Sequence, residues 1–320
     1  MGSLASSASS GACLPSASGA HYRGRFAPSP TGLLHFGSLV AATASYLDAG
    51  HAHGEWLIRI EDLDTAREIP GSAERIIEAL QILGFEWTAP ILRQSERAGV
   101  YQAALDQLTD GGLAYPCSCS RAEIQAALPP PTDTEELRYP GWCRRGVRMP
   151  DRPAAFRFRV PEGAVSFADA IHGTVNVDVV AEVGDFVIRR RDGLFAYQLA
   201  VVVDDAAQGI THVVRGADLL TSTPRQILLQ QALGLPKPVY AHVPLAIDVN
   251  GVKLSKSAGT AEIDLRRPGS ELWRALRFLQ QEPPAQLRQA TLNAIWEWAL
   301  EHWRPDQLRN VRSLTAERVY

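Results

Sequence analysis

Two stretches more than two hundred residues apart carry side chains suited to phosphate chemistry, and the first is H-F-G-S, from His35 to Ser38. A histidine can donate a hydrogen bond to a phosphate that gains charge during a reaction. Gly37 and Ser38 stand just before a predicted helix, and the free backbone N–H groups of a helix start suit a phosphate. Taken alone, this stretch is also compatible with a plain connector that carries a surface histidine.

The second stretch is K-L-S-K-S, which begins at Lys253 after a strand-like segment and a turn. Mobile lysines can clamp a pyrophosphate as point charges while its charge develops. A short loop of lysines and serines can also be no more than solvated surface. Together, the two stretches predict that Lys253, Ser255 and Lys256 meet His35 over one phosphate-bearing ligand.

Three of the four cysteines form a C-S-C…C cluster of Cys117, Cys119 and Cys143. Thiolates at this spacing favour a zinc ion in a reducing cytoplasm, because four cysteines are too few for a disulfide scaffold in a chain of this length. Three buried thiols without a metal remain the alternative. Cys13 is a poor fourth ligand because it lies in a flexible tail.

The elements that position these residues follow an alternating pattern. A strand ends near Ala27, a helix runs from about Leu39 to Ala49, "EWLIRIED" is strand-like, and a helix capped by Ser72 continues to Leu83. Alternation of this kind predicts an α/β fold with a parallel sheet that has helices on its faces.

Changes in composition and in the pattern of predicted elements divide the 320-residue chain into five segments. They are a disordered tail at 1–21, the first half of a catalytic domain at 22–107, an insertion at 108–190, the second half of the catalytic domain at 191–250, and a lysine loop with a small helical part at 251–320. The apolar runs are too short to cross a bilayer, so the sequence predicts a cytoplasmic protein. A net charge of -3 excludes a uniformly basic coat but not a local basic face.

The two phosphate-type stretches resemble the paired signatures of class I aminoacyl-tRNA synthetases. "GRFAPSPTG", "RIEDLDTAR" and "VVRGADLL" are similar to the glutamyl branch of that family. Two positions depart from the usual class pattern, since Ser38 replaces a second histidine and Leu254 replaces a methionine. The resemblance implies a Rossmann-type catalytic domain that activates glutamate as its adenylate, with His35 and Lys256 as the catalytic residues and Mg²⁺ bound to ATP. It also implies that the ATP-binding residues are His35, Gly37, Ser38, Lys253, Ser255 and Lys256.

Glutamate has two carboxylates and one ammonium, so a selective pocket needs two cationic or donor groups and one anion. The predicted strand ends supply Arg25, Arg215 and Glu61. By resemblance, Arg25 with Tyr197 reads the side-chain carboxylate, Arg215 the α-carboxylate and Glu61 the ammonium, although the two arginines could exchange roles. Arg25 and Glu61 could instead be a plain ion pair. The resemblance places glutamate against Arg25, Phe26, Ala27, Pro28, Ser29, Glu61, Tyr197 and Arg215.

The resemblance also supplies Tyr139 as the fourth ligand of a structural zinc ion, a position that water could hold instead. Tyrosine is an uncommon ligand because its phenol, with a pKa of ~10, must lose a proton. The zinc site would stabilise an insertion that is otherwise short of core.

About 60 residues follow Gly259, too few for the anticodon-binding domain of a glutamyl-tRNA synthetase. Together with "RRDGLFAYQLAVVVDD", this length favours a truncated paralogue. Such an enzyme transfers glutamate to the queuosine base at the wobble position of tRNA(Asp). Its expected partners are L-glutamate, ATP and queuosine-containing tRNA(Asp), and we expect a monomer. The alternatives are a truncated or discriminating glutamyl-tRNA synthetase that charges a 3′ end, and a catalytically silent tRNA-binding paralogue.

Overall fold

The structure is a computed structural model that describes residues 21–127, 138–254 and 263–316. Within these ranges the α-helices are α1 (Phe36–His51), α2 (Ser72–Ile82), α3 (Ala98–Asp110), α4 (Arg121–Ala126), α5 (Val179–Glu182), α6 (Tyr197–Ala207), α7 (Thr223–Leu233), α8 (Pro268–Phe278) and α9 (Leu292–His302). The strands are β1 (Arg23–Phe26), β2 (Glu55–Ile60), β3 (Leu92–Arg93), β4 (Ala114–Cys117), β5 (Ala155–Phe158), β6 (Val165–Asp169), β7 (Gly173–Val177), β8 (Phe186–Arg189), β9 (His212–Gly216), β10 (Val239–Val243), β11 (Leu245–Ile247) and β12 (Ser313–Thr315). The alternation of strands and helices predicted for the first hundred residues is confirmed.

Parallel strands form the centre of the molecule. β1 pairs with β2 and β2 with β3, and on the other side β9 pairs with β10, all in parallel register. Thr211, just before β9, donates its N–H to the carbonyl of Arg23 over 2.9 Å, so β1 and β9 begin side by side. The two parallel sheets therefore lie edge to edge in the spatial order β3-β2-β1-β9-β10, although β1 and β9 form no ladder of their own. In folds of this type ligands bind outside the carboxyl ends of the strands, here those of β1 and β9.

The segment predicted as an insertion, 108–190, contributes to two different sheets. β4, β5 and β8 form an antiparallel sheet of their own. The hairpin of β6 and β7 instead extends the central sheet, because Asp169 of β6 pairs with Tyr240 of β10 in parallel register. Part of this segment is thus continuous with the sheet that carries the candidate site.

Helix α1 begins at Phe36, three residues before the predicted start near Leu39. The prediction was wrong because His35 caps the helix: its ring accepts a hydrogen bond from the N–H of Ser38, the role that serine or aspartate has at most helix starts. The phosphate-type stretch is therefore the first turn of the helix itself.

Ser72 does not cap α2, contrary to the prediction. The N-cap is Gly71, in the left-handed conformation with φ 74°, and it makes no side-chain capping bond. The hydroxyl of Ser72 instead bonds to the backbone of Gly32, whose N–H donates to it over 3.1 Å. Ser72 thereby ties α2 to the loop that precedes α1.

Helices cover both faces of the central sheet. One core contains residues of α1, α2, α8 and α9, and a second contains residues of α3, α6 and α7. The indole N–H of Trp303 donates to Asp48 of α1 over 3.0 Å, and that of Trp296 donates to the carbonyl of Leu83 over 3.0 Å. The C-terminal helices α8 and α9 thus share a core with α1 and α2. Across the ranges described here, no helix combines the length and apolar character needed to cross a bilayer.

Candidate active site

His35 lies half-buried at the amino end of α1 with both ring nitrogens engaged. Its Nδ1 accepts from the N–H of Ser38 over 3.2 Å, so the proton of a neutral ring is on Nε2, which is 3.0 Å from the hydroxyl of Ser38. A Cβ at position 37 would stand 3.3 Å from the ring, so Gly37 leaves it room. The Nε2–H of the imidazole and the Ser38 hydroxyl beside it therefore lie together at a helix start, the geometry that suits a phosphate.

The beginning of the lysine loop lies near His35. Lys253 forms an ion pair with Asp218, which follows β9 in a short 3₁₀ helix. Burial lowers the pKa of His35, and the positive charge of Lys253 lowers it further. The stretch from His35 to Ser38 and the beginning of the lysine loop, which we predicted to bind one ligand together, therefore lie close to each other. Ser255 and Lys256 lie outside the described residues.

A cavity of about 200 Å³ opens at the carboxyl end of β2. Ser29, Glu61 and Tyr197, three of the predicted glutamate-binding residues, line it. Its size suits a small metabolite, since drug-sized ligands occupy roughly 300–1,000 Å³. Pro28 lies close by, because its carbonyl accepts the N–H of Glu61 over 2.9 Å. Phe26 ends β1 within the core, and Ala27 connects it to Pro28.

Glu61 is the least satisfied charged group of the cavity. Its Oε1 is buried, accepts no hydrogen bond from the described residues, and lies 3.5 Å from Nη2 of Arg59. Burial raises the pKa of Glu61 to about 7, although the nearby Arg59 and Arg25 oppose that shift. A cationic ligand in the cavity would give this carboxylate the hydrogen-bond donor that it lacks.

Arg25 lies beside Glu61 and is held by an acidic residue of α6. Its Nε is 3.3 Å from Oδ1 of Asp205, which also accepts from Nη2 of Arg59 over 2.7 Å. Although burial opposes ionisation, the two arginines hold the pKa of Asp205 below its ordinary value. Asp205 therefore compensates much of the charge of this arginine pair.

Arg215, on β9, contacts the cavity through Tyr197, which lines it. It is 5% exposed, and its Nη1 donates to the hydroxyl of Tyr197 over 3.4 Å. Its Nη2 donates to Thr223 over 2.8 Å and its Nε to Nε2 of His242 over 3.0 Å. The structure thus brings Arg25, Arg215, Glu61 and Tyr197 together, with Tyr197 bonded to Arg215.

The predicted metal ligands form a cluster of their own. The three Sγ atoms of Cys117, Cys119 and Cys143 lie within 4.8 Å of one another, and the Tyr139 hydroxyl is 3.3 Å from the first sulfur and 3.7 Å from the second. Ligands at ~2.3 Å from a tetrahedral zinc ion are about 3.8 Å apart. Burial raises the pKa of Cys119 to about 11. Despite the opposing effect of burial, hydrogen bonds from the Arg148 backbone and Tyr139 lower that of Cys143 to about 7. The four side chains fit a zinc ion, and Cys13 lies outside the described residues.

Several residues that support the site were not selected from the sequence. The sequence could have pointed to Asp205, because two adjacent aspartates in a long apolar run are unusual and indicate buried charges. The sequence also marks Arg59, because it is a charged residue in an otherwise apolar strand. In the structure its side chain is fully buried. His242 and Asp169, which hydrogen-bond each other behind Arg215, stand in short runs without a distinctive pattern.

Comparisons with known proteins identify the family of this chain. Residues 21–267 match the family described as tRNA synthetases class I (E and Q), catalytic domain. A protein of Geobacter sulfurreducens named glutamyl-Q tRNA(Asp) synthetase is 53% identical over 302 residues, which cover 92% of this chain and 96% of that protein. One of the same name from Dechloromonas aromatica is 53% identical over 285 residues, 89% of this chain and 95% of its own.

Two solved structures share the fold. The glutamate-tRNA synthetase of Elizabethkingia anophelis superposes with a TM-score of 0.72 at 27% identity, over 93% of this chain and 68% of its own. The glutamate tRNA ligase of Elizabethkingia meningosepticum, solved in complex with its amino acid, superposes with a TM-score of 0.71 at 27% identity, over 93% of this chain and 67% of its own. The chain therefore belongs to the class I tRNA synthetases of the E and Q type and is a ligase of that family.

Proposed function

We propose that this ligase activates L-glutamate with ATP to glutamyl-adenylate and transfers the glutamate to the queuosine base at the wobble position of tRNA(Asp). The observation that carries the first half is the buried Glu61 oxygen, which accepts no hydrogen bond from the described residues and lies beside two arginines. The names of relatives at 53% identity support the second half.

The charges of the cavity fit glutamate group by group. Glu61 would accept the ammonium, which supplies the hydrogen bond that its buried Oε1 lacks. Arg215 and Arg25 would take the two carboxylates, and Tyr197 and Ser29 would line the space between them. We keep the assignment of Arg215 to the α-carboxylate and of Arg25 to the side-chain carboxylate.

Activation is an attack by the glutamate α-carboxylate on the α-phosphorus of ATP. The new bond joins the carboxylate oxygen to that phosphorus, and pyrophosphate leaves with the electron pair of the broken P–O bond. His35 would donate its Nε2–H to a phosphate oxygen, and Lys253, Ser255 and Lys256 would stabilise the pyrophosphate charge. The N–H of Gly37 and the hydroxyl of Ser38 would bind phosphate at the start of α1. Mg²⁺ would arrive on the ATP oxygens as part of the substrate.

In the second step a hydroxyl of the queuosine ring takes the acyl group, and AMP leaves. We place this reaction in the cytoplasm. We also propose that the chain consists of a tail at 1–21, two catalytic halves at 22–107 and 191–250, the insertion at 108–190, and the lysine loop with its helical part at 251–320.

A zinc ion on Cys117, Cys119, Cys143 and Tyr139 would have a structural role in the insertion. It would supply a tetrahedral crosslink between β4 and the loop that holds Tyr139 and Cys143. Arg157 stacks on the Tyr139 ring, 4.0 Å from its centroid, and its Nε is 3.4 Å from the Cys117 sulfur, so it already compensates part of the negative charge of such a site.

The decisive experiment locates the product. The protein is incubated with ATP, labelled glutamate and tRNA(Asp) that either contains or lacks queuosine, and the labelled nucleotide is identified after digestion. Label on the queuosine nucleotide, and none on the queuosine-free tRNA, supports the proposal. Label on the 3′ adenosine would instead identify an enzyme that charges tRNA ends, and tRNA binding without glutamate-dependent pyrophosphate exchange would identify a silent paralogue.

A further inference from the structure

Arg215 is fixed by acceptors that carry no negative charge. Its guanidinium donates to the imidazole of His242 and to the hydroxyls of Thr223 and Tyr197. These bonds use three of the five N–H groups of an arginine. Among the described residues, the guanidinium therefore keeps N–H groups for a bound carboxylate.

His242 accepts from Arg215 only because Asp169 fixes its tautomer. The Nδ1 of His242 lies 2.6 Å from Oδ2 of Asp169, and both side chains are fully buried. Backbone N–H groups of Ile171 and His172 donate to Oδ1 of Asp169 over 3.0 and 2.9 Å. An ionised carboxylate accepts only, so the imidazole proton must lie on Nδ1 and the lone pair of Nε2 faces Arg215.

Electrostatics agree with a neutral ring. Burial, followed by the charge of Arg215, lowers the pKa of His242 to about 4 despite the opposing effect of Asp169. Although burial opposes ionisation, the hydrogen bonds from His242 and the two backbone N–H groups hold the pKa of Asp169 below its ordinary value. Near neutral pH the pair is thus a carboxylate and a neutral imidazole.

The other arginine of the site is held differently. Arg25 lies 3.3 Å from the carboxylate of Asp205, which compensates its charge directly. At Arg215, by contrast, the imidazole of His242 lies between the guanidinium and Asp169. Arg215 is therefore oriented by a neutral ring, with no carboxylate of the described residues in contact with it. A guanidinium that is fixed but has no carboxylate against it attracts a substrate carboxylate more strongly.

We propose that Asp169 and His242 are positioning residues, which orient Arg215 toward a carboxylate of the bound amino acid without placing an acidic side chain in contact with it. This inference rests on the proposed glutamate site. It also gives a function to the β6–β7 hairpin, because Asp169 is the last residue of β6 and pairs with β10, the strand of His242. The inserted segment thereby contributes to amino-acid binding.

The test is an isosteric substitution, Asp169→Asn. The backbone N–H groups that now donate to Oδ1 will hold the amide oxygen in the same place. The amide NH₂ then faces His242 Nδ1 and forces the ring proton onto Nε2, where it opposes the N–H of Arg215. In glutamate-dependent pyrophosphate exchange, we expect the KM for glutamate to rise about tenfold or more, while the KM for ATP stays within about twofold.

His242 offers a rescue pair and the chain offers a matched control. His242→Leu should raise the KM for glutamate as Asp169→Asn does, and His242→Gln, which retains an acceptor for Arg215, should restore much of the loss. His212→Gln is the control, because His212 is equally buried but begins β9, at the opposite end from Arg215. We expect it to leave both KM values unchanged.

The outcomes separate the inference from the function on which it rests. If Arg215→Ala raises the KM for glutamate but Asp169→Asn does not, the positioning role is wrong and the glutamate site stands. Equal increases in both KM values, with no recovery in His242→Gln, would assign the pair a purely structural role and also overturn the inference. If Arg215→Ala leaves the KM for glutamate unchanged, the proposed glutamate site itself fails.

Discussion

Replacing Glu61 by glutamine should make the protein more stable and its substrate binding weaker. The carboxylate is buried with an oxygen that has no hydrogen-bond partner among the described residues. Its pKa is raised from 4.5 to about 7, chiefly by burial, so the ionised form is unfavourable in the folded protein without ligand. At pH 8 a neutral amide removes that cost, which is roughly 3 kcal/mol for a shift of this size.

The sign of the pH dependence follows from the direction of the shift. A carboxyl with a raised folded-state pKa binds its proton more tightly when folded, so the folded state gains stability as the pH falls through 7. The stability advantage of Glu61→Gln should therefore be largest at pH 8 and shrink by pH 6. Thermal unfolding at both values measures it.

Glutamate binding should show the opposite dependence. Because the substrate ammonium needs an ionised Glu61, the KM for glutamate in the parent should rise about tenfold from pH 8 to pH 6. In Glu61→Gln it should be on the order of 100-fold higher and nearly independent of pH, since a hydrogen-bonded charge pair is lost. Pyrophosphate exchange at saturating ATP measures both effects.

Glu78→Gln is the matched control, because Glu78 is exposed on α2. It should change neither the stability nor the KM for glutamate. A Glu61→Gln variant that unfolds at a lower temperature, with a glutamate KM close to that of the parent, would show that Glu61 is an ordinary ion-pair partner of Arg59 and Arg25. That result would refute the reasoning.

Two further predictions concern the lysine loop and the cysteine cluster. Lys256→Ala should lower the rate of adenylate formation ~10²-fold or more at saturating substrates if the lysine contacts charge present chiefly in the transition state, and unchanged pyrophosphate exchange would contradict that role. The purified protein should contain one zinc ion per chain by metal analysis. Cys119→Ser should lose this ion together with several kcal/mol of stability, while its KM for glutamate at low temperature stays near that of the parent. A parent protein that contains no zinc and is as stable as Cys119→Ser would disprove the metal site.

Local patterns were enough to predict much of the fold. The strand before Ala27, the helix after His35 and the helix from Ser72 all exist, because apolar periodicity reports which faces are buried. The predicted start of α1 and the predicted cap of α2 were wrong, although α2 does begin at Ser72. A histidine at an N-cap and a serine that bonds to a distant glycine depend on partners that periodicity does not reveal.

The charged residues of the site were predictable only where they end strands. Arg25, Glu61 and Arg215 lie at or near the carboxyl ends of parallel strands, which all point to the same edge of a sheet. The sheet alone therefore predicts that these three side chains lie close together. Asp169 was not predictable, since it reaches His242 only when β6 pairs with β10, a contact between segments 73 residues apart. Long-range pairing of this kind leaves little trace in local composition.

The central claim is that one site holds a glutamate and a phosphate side by side. A crystal structure with a non-hydrolysable glutamyl-adenylate analogue tests it most directly. The account predicts the analogue's ammonium at Glu61, its free carboxylate at one of the two arginines and its phosphate at the start of α1 beside His35. An analogue bound with its ammonium away from Glu61, or with its phosphate away from His35, would contradict it.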